Sequence, residues 1–281
     1  MSIALDVLVL PAFDDLAGLP GEDEPWRRAY DFEPVRVEGL SRPLLYTEGG
    51  LGLVPTGVGK TKAATTTAAV CASGTVALDG ALVCSVGVAG GPPSLPVGSV
   101  VVADRIVDWD DKCRFDPDDG ESIPLARNPY TEDQGCFELD ADLVEWAVSL
   151  SADVELARPG DGSEGTGTDR APSVVTGTNL CGDELWHGRR LAEQASWLVT
   201  EYGPGQYRVT EMEDAGTATA LDRFGHLGRY LSVRGVSNHD RPDHGESARA
   251  SFFDPEFESG FETGLENAVS VARTVVDDRL A

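Results

Sequence analysis

The sequence predicts an α/β domain built on a central, largely parallel sheet. Three observations carry this: short apolar, β-rich runs recur along the chain, helix-like stretches lie between them, and neither a repeat nor a break in composition divides the 281 residues. In chain order the runs are "DVLVL" (6–10), "LGLVP" (51–55), "ALVCSVGVAG" (81–90), "GSVVVADRIVDW" (98–109), "SVVTGT" (173–178), "YRVTEME" (207–213) and "RYLSVRGVS" (229–237). Several are continuously apolar, the pattern of strands covered on both faces. Helices are expected over 59–73, 138–151, 183–200, 213–225 and 258–280. The polar, glycine-rich segment "RPGDGSEGTGTDRAP" (158–172) lacks periodicity and reads as a surface loop. One domain, 1–281, holds these elements, with enough chain for a sizeable core. Ligands on such sheets gather at the carboxyl ends of the strands, so motifs there carry most weight.

Acidic residues number 48 against 22 basic ones, a formal net charge of -26, and lysine occurs only at Lys60, Lys62 and Lys112. Such a surface repels nucleic acid and anionic lipid and suits a protein adapted to high salt. Cys71, Cys84, Cys113, Cys136 and Cys181 show no CxxC spacing and read as free thiols in a reducing compartment, so a cytoplasmic location is expected. No run of about 18 apolar residues occurs, so no membrane span is expected. His187, His239 and His244 share no metal-ligand spacing, and neither metal nor cofactor is expected.

Two glycine-rich stretches resemble nucleotide motifs without matching them. "VPTGVGKT" (54–61) has Val54 where a phosphate-gripping P-loop needs glycine, and Lys62 stands where the dinucleotide pattern needs one. What remains is a strand, a glycine turn and a helix N-terminus. "VAGGPPSLPVGSV" (88–100) sets Gly90 and Gly91 directly after a core strand, where close approach of a ligand is one reason to require glycine.

Glu211 and Glu213 flank Met212. If the segment is extended they share one face, and like charges so placed raise each other's pKa unless donors satisfy them. A vicinal diol supplies such donors. Alternatively Glu213 serves the N-terminus of the helix that follows, with Glu211 at the surface.

"TGVGKTKAA" (56–64), "VGVAGG" (86–91) with "VGSVVVAD" (97–104), "EMEDAGTATAL" (211–221) and "VRGVSNHDRP" (233–242) resemble, in order, the nucleoside phosphorylase superfamily. With "TNLCGDELWHG" (178–188) they look like its purine nucleoside permease branch. The resemblance implies a three-layer αβα fold with a mixed, largely parallel sheet, and a purine nucleoside as partner. It further implies cleavage of the N-glycosidic bond through a cationic ribosyl transition state, in a homo-oligomer. It places Met212 and Glu213 on the sugar with Glu211 beside them, and Gly87, Ala89 and Gly90 at the substrate. Ser237 and Asn238 stand where the superfamily has a Ser–Asp pair that meets the departing base. Asparagine does not protonate a base, so either its amide binds the purine or Asp240 supplies the acid. Leu185 or Trp186 is the candidate for stacking on the base.

Phosphorolytic relatives carry an arginine and a serine where this chain has Ser85 and Val88, which disfavours phosphate. Hydrolytic ones activate water with a glutamate after the first strand, where "PAFDDLAG" (11–18) offers Asp14 and Asp15. Hydrolysis is thus expected over phosphorolysis, with a non-catalytic, transport-linked binding protein as the alternative.

Overall fold

The computed structural model describes residues 2–16, 18–131, 134–160, 170–243, 245–252 and 257–281. Residues 161–169 of the expected loop, and His244, lie outside them. The main sheet has ten strands: β1 (Val7–Leu10), β2 (Glu33–Val35), β3 (Leu44–Tyr46), β4 (Leu51–Leu53), β5 (Leu82–Gly91), β6 (Val100–Asp108), β7 (Cys136–Glu138), β8 (Val174–Cys181), β9 (Tyr207–Glu211) and β10 (Tyr230–His239). Described helices are α1 (Glu24–Ala29), α2 (Lys60–Cys71), α3 (Ala141–Leu150), α4 (Arg189–Glu201), α5 (Asp214–Arg223), α6 (Ala248–Phe252) and α7 (Phe257–Leu280).

The sheet is mixed. β4, β1, β5 and β10 run parallel in that order, as do β6, β8 and β9. Antiparallel pairing of β10 with β6, and of Thr210 with Gly90, joins the two groups, so β5, β10, β6, β8 and β9 close into a ring. The all-apolar runs are fully buried, as in Val7–Leu10 and Val100–Ala103, because helices cover both sheet faces. β10 shows the two faces residue by residue. Tyr230, Ser232 and Arg234 point to Asp214 at the start of α5, whereas a Cβ on Gly235 would land on the carbonyl of Gly264 in α7. α7 buries Leu265, Ala268, Val269, Ala272, Val275 and Val276, the spacing of one apolar helix stripe. Each fully buried valine there contributes roughly 1.5–3 kcal/mol.

The five long helices and seven strand runs read from the sequence all occur, with shifted ends. The run 173–178 continues to Cys181, while the run ending at 213 leaves the strand after Glu211. Helix α4 begins at Arg189 rather than 183, since Gly182–Gly188 form a loop. The hairpin of β2 and β3, the ribbon Lys112–Arg114 with Leu125–Arg127, and the short α1 carry too few residues for a periodic signal.

Candidate active site

Four chain segments meet at the ends of the central strands: the turn after β1, the second half of β5, the β9–α5 turn and the end of β10. Gly87 of β5 lies opposite Arg234 of β10, and Gly90 opposite Asn238 and Thr210. Thus Gly87, Gly90, Asn238 and the Glu211 turn share one end of the ring, with the buried Ala89 and Ser237 between them. Ser237 Oγ donates toward the Ala89 carbonyl at 3.3 Å and lies 2.8 Å from Asn238 Oδ1, while Asn238 Nδ2 donates to the His239 carbonyl at 3.0 Å.

The glutamate pair is buried and does not lie along one strand face, because the backbone turns at Met212. Glu211 Oε2 accepts the backbone N–H groups of Glu213 and Asp214 at 2.7 and 3.0 Å. Glu211, rather than Glu213, therefore serves the α5 N-terminus, whose first amides have no partner inside the helix. Glu213 reaches outward to α2, where its Oε1 accepts the Gly59 N–H at 3.0 Å. Gly59 presents that amide at a φ of 100°, which it can adopt because it has no Cβ. Asp183 holds the next amide, that of Lys60, at 2.8 Å, and the Lys60 ammonium bridges Asp108 and Asp110 at 2.6 and 2.7 Å. The α2 N-terminus is thereby clamped against the site.

Below the turn, Arg234 is fully buried. Its Nη2 contacts Asp214 Oδ1, Ser85 Oγ at 2.6 Å and Glu211 Oε2 at 3.0 Å, and its Nη1 lies 3.9 Å from Glu213 Oε2. Burial and the neighbouring Asp214 charge raise the pKa of Glu211 against the pull of Arg234. Burial likewise raises Glu213, with Arg234 opposing and Glu22 adding to the rise. Asp214 moves the other way: although burial opposes its charge, Arg234 and the hydroxyl donors hold it below the usual aspartate range.

Glu22 is the carboxylate that the turn after β1 delivers to this place. The chain leaves at Ala12, makes the small ribbon of Asp15–Leu16 with Leu19–Pro20, and returns, Glu22 N–H donating to the Phe13 carbonyl at 2.9 Å. Glu22 Oε2 then accepts the Ala12 N–H at 2.7 Å and Oε1 the Val88 N–H at 2.9 Å. A Cβ on Gly87 would collide with this carboxylate, so glycine is required there by close approach of a side chain. Burial raises the Glu22 pKa, the Glu211 charge adds to the rise, and Arg234 and the two amides oppose it.

The remaining sequence candidates fall elsewhere. Asp14 is ion-paired with Arg42, and Asp15 is exposed on the ribbon. Asp240 accepts the Tyr207 hydroxyl at 2.7 Å and is forked by Arg241 at 2.6 and 2.9 Å, so its oxygens are committed away from Asn238. Trp186 is buried in the core between Trp109 and Tyr207, at ring distances of 5.9 and 6.5 Å. Leu185 is 68% exposed, in a loop whose Gly182 N–H donates to the Glu211 carbonyl at 3.0 Å. Glu22, Asp214 and Arg234 are absent from the sequence-derived set. Strand alternation carries a signal for Arg234, since Tyr230, Ser232 and Arg234 form a polar face opposite Leu231 and Val233. Glu22 is separated from β1 by a reversal that no period reveals.

Solved structures of similar fold include the 5'-methylthioadenosine/S-adenosylhomocysteine nucleosidase from Neisseria meningitidis in complex with methylthio-immucillin-A. It is 20% identical at a TM-score of 0.66, covering 98% of this chain and 99% of that one. The futalosine hydrolase of Helicobacter pylori is 18% identical at a TM-score of 0.65, with 98% of each chain covered. The Campylobacter jejuni methylthioadenosine/S-adenosylhomocysteine nucleosidase is 16% identical at 0.64, covering 97% and 99%. These likenesses bear out the three-layer αβα fold. A search of curated proteins gives no match. Residues 4–281 match the family model described as purine nucleoside permease (NUP), and the chain therefore belongs to the purine nucleoside permease family.

Proposed function

We propose that the chain binds a purine nucleoside and cleaves its N-glycosidic bond with water rather than phosphate. The observation that carries this is Glu22, a buried carboxylate seated on the Ala12 and Val88 amides beside Gly87. Backbone amides at strand ends are where an anion would dock, and here a fixed carboxylate occupies them and would repel phosphate. The buried guanidinium that acts on Glu22, that of Arg234, is spent on Asp214, Glu211 and Ser85. The activities of the neighbours named above, nucleosidase and hydrolase, support the same reading.

In this reading Met212 and Glu213 hold the ribose, and Glu213 stabilises positive charge developing on the sugar. Glu22 takes a proton from water as the water oxygen bonds to the anomeric carbon, and the glycosidic electron pair leaves with the base, which takes its proton from solvent. A carboxylate raised by burial is a better base for that step. Ser237 and Asn238 meet the purine, with Gly87, Ala89 and Gly90 forming its floor and Leu185 its open side. A second reading, a transport-linked binding protein without turnover, is favoured by one observation: Asn238 carries no acid and Asp240 is committed to Tyr207 and Arg241. Among the described residues no helix is long and apolar enough to cross a membrane.

Incubating the purified protein with inosine, guanosine and adenosine, with and without phosphate, and following free base tests this. Release without phosphate is expected. Release only with phosphate would overturn the hydrolytic reading, and binding without release would favour the second.

A further inference from the structure

The glycine turn and helix start of "TGVGKT" (56–61) have the make-up of an anion cradle, yet the fold fills it with the protein's own carboxylates. Two adjacent amides at the start of α2 go to different elements: Gly59 N–H to Glu213 Oε1 at 3.0 Å, and Lys60 N–H to Asp183 Oδ1 at 2.8 Å. Asp183 is itself fixed from behind, its own N–H donating to Asp110 Oδ2 at 3.0 Å. That oxygen lies 2.7 Å from the Lys60 ammonium, which also donates to Asp108 Oδ1 at 2.6 Å. The contacts close a cycle, from the Lys60 amide through Asp183 and Asp110 back to the Lys60 ammonium. Asp183 also packs on Gly59, since a Cβ on that glycine would come 3.0 Å from Asp183 Oδ1. One residue earlier, the Gly182 N–H donates to the Glu211 carbonyl at 3.0 Å. One loop thus grips both the turn that carries Glu213 and the helix start that faces it. Of the Glu213 oxygens, Oε1 is pinned on Gly59, while Oε2 lies 3.9 Å from Arg234 Nη1, beyond hydrogen-bond reach.

We propose that Asp183 is a positioning residue for Glu213: it holds the start of α2 so that the Gly59 amide fixes the orientation in which Glu213 meets the sugar hydroxyls. An ordinary helix cap would account for the Lys60 amide alone. It would not account for Asp183 being tied in turn to the aspartate that holds the Lys60 side chain. Hydrogen bonds weaken steeply with angle, so a carboxylate that is to accept from a diol has to be held in one orientation. A site that hydrogen-bonds a substrate hydroxyl rejects the analogue lacking it, and that rejection is what a loosened Glu213 would lose. The effect on a sugar rests on the nucleoside reading; the dependence of the Glu213–Gly59 hydrogen bond on Asp183 does not.

Two measurements on the purified full chain test this. In the first, kcat/KM is compared for inosine and 2'-deoxyinosine in the native protein, Asp183→Ala and Asp183→Asn. The alanine variant is expected to lose up to about 10²-fold on inosine and much less on the deoxynucleoside. Asparagine keeps an Oδ1 acceptor for the Lys60 amide and is expected to restore the native ratio. Equal losses on the two substrates, an unchanged ratio in Asp183→Ala, or a ratio that asparagine does not restore would overturn the proposal. In the second, hydrogen exchange of the Gly59 amide is followed by NMR. Protection is expected to fall in Asp183→Ala and to persist in Asp183→Asn; undiminished protection in Asp183→Ala would overturn the proposal whatever the kinetics. Should the alanine variant not fold, Lys60→Met, which opens the cycle at its other side, takes its place in both measurements. If the exchange behaves as expected and the native protein neither binds nor cleaves a nucleoside, the nucleoside reading fails and the positioning of Glu213 stands.

Discussion

Glu22→Gln separates the work of this carboxylate from its place in the fold. Glu22 receives one amide on each oxygen, at 2.7 and 2.9 Å. Glutamine offers one acceptor and one NH2, so whichever way it turns, a buried backbone N–H faces a donor. Leaving that N–H unpaired costs about 1–3 kcal/mol of stability. If Glu22 is the base, kcat falls by roughly 10²–10⁴-fold, equivalent to about 3–5 kcal/mol in the barrier. The pH dependence has a definite sign: the native rate rises as pH passes through the Glu22 pKa, which burial has raised, and the variant loses that limb. In folding the same group contributes stability that is present below its unfolded pKa and lost as pH rises through the folded one. The assay is release of free base from inosine or guanosine, alongside urea denaturation of both proteins. Asp14→Asn is the control, because Asp14 pairs with Arg42 on the surface. A folded Glu22→Gln protein with the native rate would refute the assignment, as would an equal loss in Asp14→Asn.

Arg234→Met removes the guanidinium from among four buried carboxyl groups and is expected to cost about 3–5 kcal/mol by urea denaturation. That cost should shrink as pH is lowered from neutral, because Glu211 and Glu213, whose folded pKa values are raised, take up protons more readily than in the unfolded chain. Gly216→Ala would drive a Cβ into the Lys60 carbonyl where α2 packs on α5, with an expected loss of about 1–3 kcal/mol in the same experiment. Trp186→Ala should lose about 3–5 kcal/mol as a core deletion. Leu185→Ala should stay within about 0.5 kcal/mol in stability and weaken nucleoside binding measured by calorimetry.

Long apolar strands and the helices between them were legible because burial on both faces writes itself as an uninterrupted run, as in Val100–Ala103. The glutamate pair was legible as a candidate site but not as a geometry. Local sequence could not say that the chain bends at Met212, or that Glu211 turns back to serve the α5 amides while Glu213 turns away to α2. Asp14 and Asp15 looked right because proximity along the chain was the available guide. The ribbon Asp15–Pro20 folds the chain back on itself, so the carboxylate that arrives beside Gly87 is Glu22. Tertiary closure, rather than spacing, chose it.

The same closure bears on phosphate more directly than the missing side chains do. Absence of an arginine and a hydroxyl from the β5 turn only removes attraction, worth about 1.5–3 kcal/mol for each charge-assisted contact. Arg234 shows that a cation is in fact nearby, so the absence alone does not decide the matter. What supports the hydrolytic reading is occupancy: Glu22 holds the amides of Ala12 and Val88, and Asp214 holds Arg234. A phosphate would have to displace one carboxylate and compete with another while entering a site that already holds excess negative charge. In the hydrolytic reading water needs neither, and the carboxylate that would bar the anion is the proposed acceptor of the proton from water.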